Sequence, residues 1–576
     1  MDPHRAFRAE ATTLLEDVFR RLGHEGGLPA FEVPPDPAMG DLGCPCFPLA
    51  RPLRRAPSEI AREAAAAVDA SGTTWVREVR AVGPYVNLFL DRNRLAAHVL
   101  RDPDAALTAA PKPGRVLLEH TSANPNGPLH VGRARNPILG DTLARLHRAA
   151  GHDTHVQYYM DNLGRQVALL YWGARNIPED DLPPAGRDKP DHVLVRYYQA
   201  ANERMKEDPV VAEEVRALVA RLEAADPDLL ADVRRVYEAC FAGMRESLER
   251  LGCAYDSTKD ESDLVASGAV EETLHRLQGT PRAAQEEDGA WYLDLSDVLK
   301  GQKDRFYVTR KDGTSVYATR DVAYHVWKAG QVGDDGRLVD VLGEDHRLQA
   351  LQVRTALEAL GERVPTVVFY AFVALPEGKM STRVGRVVFL DELMDEAVAR
   401  ADEEVRRRRA DLPESRALSI AEAVGIAAVR FNIVRIQPEK PIEFRWEEAL
   451  DFEGDSAPYL MYAHARAASL LRKAAEEGLV PRFDAGHIGD GEARLAATVA
   501  RFLPEAEEAV ERLAPHRFAV FALELASAFN EYYRDHPVLQ CEDEALRGVR
   551  LLVVQAAREA LRRAHEALGL PVLDEM

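Results

Sequence analysis

Apolar positions along this chain fall into three regimes. At the start, Phe7, Leu14, Leu15 and Phe19 recur at helical intervals and predict an opening amphipathic helix. Met39-Gly-Asp-Leu-Gly43 reads as a turn. Residues 60–68 read as a second helix behind Pro57-Ser58, with Ser58 as its N-cap and Glu59 in its first turn. Gly83-Pro84 turns the chain into a strand that runs to Leu90. Ala110-Pro-Lys-Pro-Gly114 is a linker, so residues 1–110 are expected to form a small α+β N-terminal domain.

Beyond the linker, apolar strand-length runs (116–119, 154–160, 338–342, 366–373) alternate with helical patterns. That alternation implies an α/β, doubly wound parallel sheet over 111–400 with its ligand beyond the strands' C-terminal ends. A charged, mainly helical insertion at about 165–300 interrupts the sheet rather than extending it. From about 401 the pattern is helical throughout. Phe518, Phe521, Leu525 and Phe529 carry the three- and four-residue spacing of an α-helical bundle.

The strongest chemical signal lies where the first of those strands becomes a helix. Ser122-Ala-Asn-Pro-Asn-Gly-Pro128 is a loop whose prolines and glycine fix its path, and it leads to His130-Val-Gly132-Arg133. An imidazole beside a helix N-terminus suits a triphosphate, because unbonded amides and the helix dipole favour negative charge there. The chemistry suggested is attack on the α-phosphate of ATP. Further on, Glu377-Gly-Lys-Met-Ser-Thr-Arg383 is a short cationic loop after a late strand; by itself it reads as a surface turn. If it closes on ATP, Lys379 and Arg383 stabilise charge developing on pyrophosphate. Tyr317 and Asp321 share one helix face, which fits a guanidinium pocket. It also fits a helix-entry tyrosine with a salt-bridged aspartate.

Composition narrows the class. The 576 residues carry a formal net charge of −21, which argues against a generally adhesive nucleic-acid binder. Basic residues are concentrated at Arg406-Arg-Arg-Arg409 and at Arg558, Arg562 and Arg563, as a nucleic-acid contact or as solvated helix faces. Five scattered cysteines (Cys44, Cys46, Cys240, Cys253, Cys541) lack zinc spacing and read as reduced thiols. Apolar runs such as Leu551-Leu-Val-Val554 are too short for a bilayer, and the N-terminus lacks a signal-peptide core. The expected compartment is the cytoplasm, with no membrane partner.

The His130 segment resembles the HIGH signature of class I aminoacyl-tRNA synthetases, in the version found in arginyl-tRNA synthetases, although Arg133 stands where the family usually has a second histidine. Glu377–Arg383 is similar to the class's KMSKS loop, with Thr382 at the second lysine position. The resemblance implies a Rossmann-like catalytic domain that joins ATP, L-arginine and tRNA(Arg). His130, Gly132, Arg133, Lys379, Ser381 and Arg383 would be catalytic; Pro128, Leu129, His130, Gly132, Glu344, Lys379 and Met380 would hold ATP. Tyr317-Ala-Thr-Arg-Asp321 is similar to the family's arginine-side-chain motif, and Glu119, Ser122, Asn124 and Gln166 would complete that pocket, with Asp161 at its edge. Magnesium would ride on ATP, with no protein-bound metal or prosthetic group.

Asn87, in a segment similar to the family's tRNA-elbow domain, and Tyr459, Tyr462, Arg466 and Met576 would touch tRNA. The resemblance also implies a stem-contact region at 401–450, an anticodon-binding domain at 451–576 and, as in its relatives, activation of the amino acid only with tRNA bound. A monomer is expected. Two rivals are a class I adenylating enzyme for another amino acid and a non-catalytic tRNA-binding relative.

Overall fold

The computed structural model describes residues 3–299, 304–374 and 388–576. The opening helix, Pro3–Arg21, buries Phe7, Leu15 and Phe19 as its periodicity requires. The second helix is Pro57–Ala67 with Ala56 at its N-cap, so Ser58 lies inside it and caps nothing. Proline at the first helical position has no N–H to satisfy and a preset φ, which lets the helix begin two residues earlier. The segment read as a turn at 39–43 ends in a strand, Leu42–Pro45, too short to show a period. It pairs antiparallel with Tyr85–Leu90, which also forms a hairpin with Val76–Val82 across Gly83 at φ +56°.

Five parallel strands form the central sheet, in the spatial order Thr366–Tyr370, Arg337–Gly343, Arg115–Glu119, Asp153–Met160, Ser257–Asp260. The chain winds outward from Arg115–Glu119 in one direction and then returns to continue on its other side. The direction therefore reverses between Arg115–Glu119 and Arg337–Gly343, where a doubly wound sheet leaves a crevice. Both faces are covered. Leu139 and Leu143 of helix Arg135–Ala149 pack on Val116, Leu118, Val339 and Val341, while Leu117 and Leu338 meet Val332 on the opposite face.

The insertion is mainly helical (Pro190–Glu207, Pro209–Glu223, Pro227–Arg250), but it does extend the sheet. Its strand Ser257–Asp260, Ser-Thr-Lys-Asp, is polar because it is an edge, and so it showed no apolar run. A separate three-stranded antiparallel sheet (Ala283–Gln285, Trp291–Asp294, Arg305–Tyr307) follows.

The helical half begins at Leu390, and a two-residue strand, Ile442–Glu443, pairs with Val373–Ala374. Helix Glu414–Val434 is long and apolar enough to cross a bilayer, but 78% of that stretch is buried within the protein. The last five helices, Ala457–Glu476 to Glu544–Leu568, form a bundle in which Phe518, Phe521, Leu525 and Phe529 are fully buried.

Candidate active site at the sheet's switch point

A cavity of about 510 Å³ opens at the strands' C-terminal ends, between Glu119 and Gly343. One wall is the His130 loop. Leaving its strand, the chain takes left-handed φ values at Thr121 (+69°) and Ser122 (+41°), conformations that cost a non-glycine residue roughly 1–3 kcal/mol each. Neighbours hold them there. The Thr121 N–H donates to Asn136 Oδ1 at 2.6 Å, Tyr255 donates to Thr121 Oγ1 at 2.6 Å, and Ser122 Oγ donates to Glu119 Oε1 at 2.8 Å. Pro128, Leu129, His130 and Arg133 line the cavity. Gly132 lies behind, where a Cβ would come within 3.1 Å of the His130 ring.

Burial, reinforced by the Arg133 guanidinium, holds the His130 pKa below its ordinary value, so a neutral imidazole faces the cavity. The amides expected to be unbonded are mostly taken. Val131 N–H donates to Val388 O, Arg133 N–H to His130 O and Ala134 N–H to Val131 O. The reason is a 3₁₀ turn at Val131–Arg133 that precedes the α-helix and tightens its entry. An anion here would meet mainly the side chains of His130 and Arg133.

The inner end of the cavity is acidic. Tyr317 opens helix Tyr317–Gly330, and one turn on, Asp321 accepts a hydrogen bond from Gln349 Nε2 at 2.9 Å and faces His325 Nδ1 at 3.3 Å. Lys328 Nζ bridges Glu119 Oε2 (2.7 Å) and Asp340 Oδ1 (2.6 Å), and His325 Nε2 meets Asp340 Oδ2 at 2.9 Å. Burial and Lys328 oppose the charge on His325, yet hydrogen bonds to Asp321 and Asp340 prevail and its pKa is pushed up to about 10. Although desolvation works against it, Asp321 is held ionised below the usual carboxylate range by His325, Gln349 and Lys328. Across the cavity, Asn124 Nδ2 donates to Asp161 Oδ2 (3.2 Å) and to Gln166 Oε1 (3.0 Å), and Asp161 Oδ1 is buried without a hydrogen-bond partner. Among the described residues, Lys328 and His325 are the buried cations paired with Glu119, Asp321 and Asp340, while Arg320, held by Glu261 and Glu223, acts on Asp161 from behind.

The outer end is more apolar, bounded by Val341, Gly343, Tyr370 and Phe372 with Asn136, Asp345 and His346. Glu344 is not part of this wall; its carboxylate lies 3.4 Å from Arg347. Lys379, Met380, Ser381 and Arg383 fall outside the described residues. The chain on either side of them meets the His130 loop: Phe389 bridges His130, Leu390 N–H donates to Leu129 O at 2.7 Å, and the Val373 carbonyl lies beside Gly132.

The expected tRNA contacts divide. Arg466 lies over the Tyr462 and Tyr533 rings (4.5 and 5.0 Å to the centroids) and lines a 680 Å³ groove with Arg409, Lys473 and Met576. Tyr459 is half-buried outside that groove, its hydroxyl 3.2 Å from Ser527. Asn87 is only 3% exposed and donates to the Met39 carbonyl at 2.9 Å. On the central strand of its small sheet it faces the interior and is unavailable to a macromolecule.

Several cavity residues escaped the sequence reading. His325 was visible as the fourth residue after Asp321, but Gln349 had no signal apart from the fold, whereas Asn126 in the loop before His130 and Asp345 and His346 at a strand end were legible as ligand contacts and do line the cavity. Glu261 sits behind Asp161, bonded to Tyr159 and Arg320; burial, then Asp161, pushes its pKa up to about 8. Among the described residues, Asp191, His192 and Asp391 place ligand-type atoms within 4.8 Å of one another. Lys189 Nζ already lies 2.6 Å from Asp391 and 3.2 Å from Asp191, so an ammonium sits where a metal ion would.

Comparison with known proteins agrees with this geometry. Residues 97–446 match the catalytic domain of class I (R) tRNA synthetases, 460–576 the DALR anticodon binding domain and 9–90 the arginyl tRNA synthetase N terminal domain. The chain is 44% identical to the arginine–tRNA ligase of Methanocella arvoryzae over 92% of each protein. It is 39% identical to that of Methanosarcina mazei over 99% of each. Its structure superposes on Thermus thermophilus arginyl-tRNA synthetase with a TM-score of 0.83 at 30% identity, covering 99% of this chain and 100% of the other. With an acidic pocket and a histidine loop at the switch point of one parallel sheet, the chain belongs to the arginyl-tRNA synthetase family, whose function is the aminoacylation of tRNA(Arg).

Proposed function

We propose that the cavity holds arginine at its acidic end and MgATP at its outer end, with the α-phosphate beside His130. The supporting observation is the charge imbalance. Glu119, Asp161, Asp321 and Asp340 outnumber the cations paired with them, and Arg320 behind Asp161 is itself held by Glu261 and Glu223, so the cavity keeps an excess of negative charge that suits the guanidinium and the α-ammonium of arginine. Asp321 and Tyr317 receive the guanidinium, Asp321 as a fork-shaped acceptor held by Gln349 and His325. The buried, unpartnered Asp161 Oδ1 and the nearby Asn124 and Gln166 receive the ammonium, while Glu119 and Ser122 brace the floor. The adenosine lies along Val341, Gly343, Tyr370 and Phe372, with Asp345 or His346, rather than Glu344, toward its ribose.

In the first step the arginine carboxylate oxygen attacks the α-phosphorus and the bond to pyrophosphate breaks. His130 donates a hydrogen bond to the phosphoryl oxygens, and Arg133, Lys379 and Arg383 offset the charge on the departing pyrophosphate. In the second step a terminal ribose hydroxyl of tRNA attacks the arginyl carbonyl and AMP leaves. The Tyr462–Arg466–Tyr533 stack supports base or phosphate contacts for the anticodon loop, and Met576 lies at the edge of the same groove. Amino-acid activation is proposed to need bound tRNA. Membership of a soluble family of translation enzymes supports action in the cytoplasm.

The test is arginine-dependent ATP–pyrophosphate exchange with tRNA present. His130→Ala is expected to lose roughly 10²–10³-fold in kcat, the usual cost of one preorganised donor to developing charge. Exchange near the wild-type rate would remove His130 from the chemistry. Exchange supported by another amino acid in place of arginine would defeat the substrate assignment.

A further inference from the structure

Arg135 is fully buried and, among the described residues, forms no ion pair, an unusual state for a guanidinium. Its two terminal nitrogens donate to backbone carbonyls instead, while Nε is buried without a hydrogen-bond partner. Nη1 reaches Ala371 O (2.9 Å) and Lys440 O (2.5 Å); Nη2 reaches Gln437 O (2.6 Å) and Ile436 O (3.3 Å). Desolvation lowers its pKa to about 10, still well above neutrality, so it remains a cation. Ile436 and Gln437 follow the C-terminus of helix Glu414–Val434, where the helix dipole concentrates negative charge that a buried cation can meet. Ala371 is the residue between Tyr370 and Phe372, both of which line the outer end of the cavity. Its own N–H donates to Pro438 O at 3.0 Å, and two residues on, Val373 pairs with Ile442.

One side chain therefore fastens three segments together: the helix that follows His130, the 436–440 turn and the wall at 370–372. We propose that Arg135 is a positioning residue for ATP, setting the distance between the Tyr370–Phe372 wall and the His130 loop without touching substrate itself. Lysine at this position would keep the charge but not the planar fork that reaches both segments at once. The arginine pocket at the other end rests on Lys328, His325 and Gln349, which Arg135 does not contact. The effect should therefore fall on ATP and spare arginine. The proposal rests on the assignment of the cavity's outer end to ATP.

The experiment uses the full chain with Arg135→Lys, Phe372→Ala and the double variant. Arginine binding is measured by calorimetry without ATP, and the KM for ATP and kcat by pyrophosphate exchange with tRNA. Arg135→Lys is expected to keep its arginine Kd within about twofold of wild type while kcat/KM for ATP falls roughly tenfold to a hundredfold, the scale of a misplacement near 1 Å. Combined with Phe372→Ala, most of that loss should disappear, because the wall it positions has already lost its ring. A lysine variant with unchanged ATP kinetics overturns the proposal. So does one that weakens arginine and ATP equally, one that fails to fold, or one whose effect simply adds to that of Phe372→Ala. If Phe372→Ala alone leaves ATP kinetics untouched, the placement of ATP fails, and this inference with it.

Discussion

Asp321 and His130 show how one cavity sets two side chains to opposite electrical tasks. Asp321 is half-buried but surrounded by His325, Gln349 and, farther off, Lys328, so it stays ionised where an isolated buried carboxyl would take up a proton. His130 is half-buried beside a guanidinium and stays neutral. Asp321→Asn keeps the shape and removes the charge. A hydrogen bond to a charged group contributes about 1.5–3 kcal/mol, so the KM for arginine should rise about 10–100-fold while that for ATP moves little. Steady-state exchange kinetics with each substrate varied in turn check this. Parallel changes in both constants would show that Asp321 supports the fold rather than the guanidinium. Its role was half legible beforehand: the Tyr317–Asp321 spacing gave the pair, but only the fold brings Gln349 and His325 to it.

At the scale of elements, the His130 loop is shaped from behind by helix Arg135–Ala149. Gly140 lies so close to the strand's end that a Cβ there would sit 2.2 Å from His120 Cβ. His120 directly precedes the strained Thr121–Ser122 pair. Helix propensity favours Gly140→Ala by about 1 kcal/mol, but the clash opposes it with a cost of about 1–3 kcal/mol and nowhere for His120 to retreat. The expected result is a lower thermal midpoint together with slower exchange, since the displaced residue carries the loop. A variant more stable than wild type would show that the loop yields freely. The elements the sequence concealed share one physical trait. Ser257–Asp260 and Leu42–Pro45 are short or edge strands whose pairing, rather than their period, makes them strands.

The whole molecule carries buried histidines of two opposite kinds, and they predict how stability varies with pH. Burial depresses His120, His147 and His565 to about 4, against an ordinary value of 6.5. Below pH 6.5 the unfolded chain takes up protons that these folded sites refuse, so their contribution is complete above 6.5 and is lost as pH falls toward 4. His325, raised to about 10, behaves inversely: its contribution is complete below 6.5 and is lost as pH rises toward 10. Each buried group can change stability by about 1.4 kcal/mol per pH unit within its window. Thermal unfolding followed from pH 5 to 9 should show stability declining on both sides of the region near 6.5. His325→Gln should lessen the alkaline decline, leaving the part up to about pH 8 that buried Glu261 contributes, and spare the acid side; an unaltered alkaline side would mean that Asp340 and Asp321 do not hold its proton.

The order of residues by itself determined the class of fold, the bundle, the histidine loop, and the Tyr317–Asp321 pair. Each of these is written in local periodicity or in a short run of special residues, because helices, turns and loop paths are set by near neighbours. Only the tertiary structure decided that Asn87 faces inward, that Glu344 pairs with Arg347 instead of lining the cavity, that a polar insertion strand extends the sheet and that Arg135 binds carbonyls about 300 residues distant. Burial and hydrogen-bond partnership arise from which segments come to lie side by side, and no local pattern encodes that.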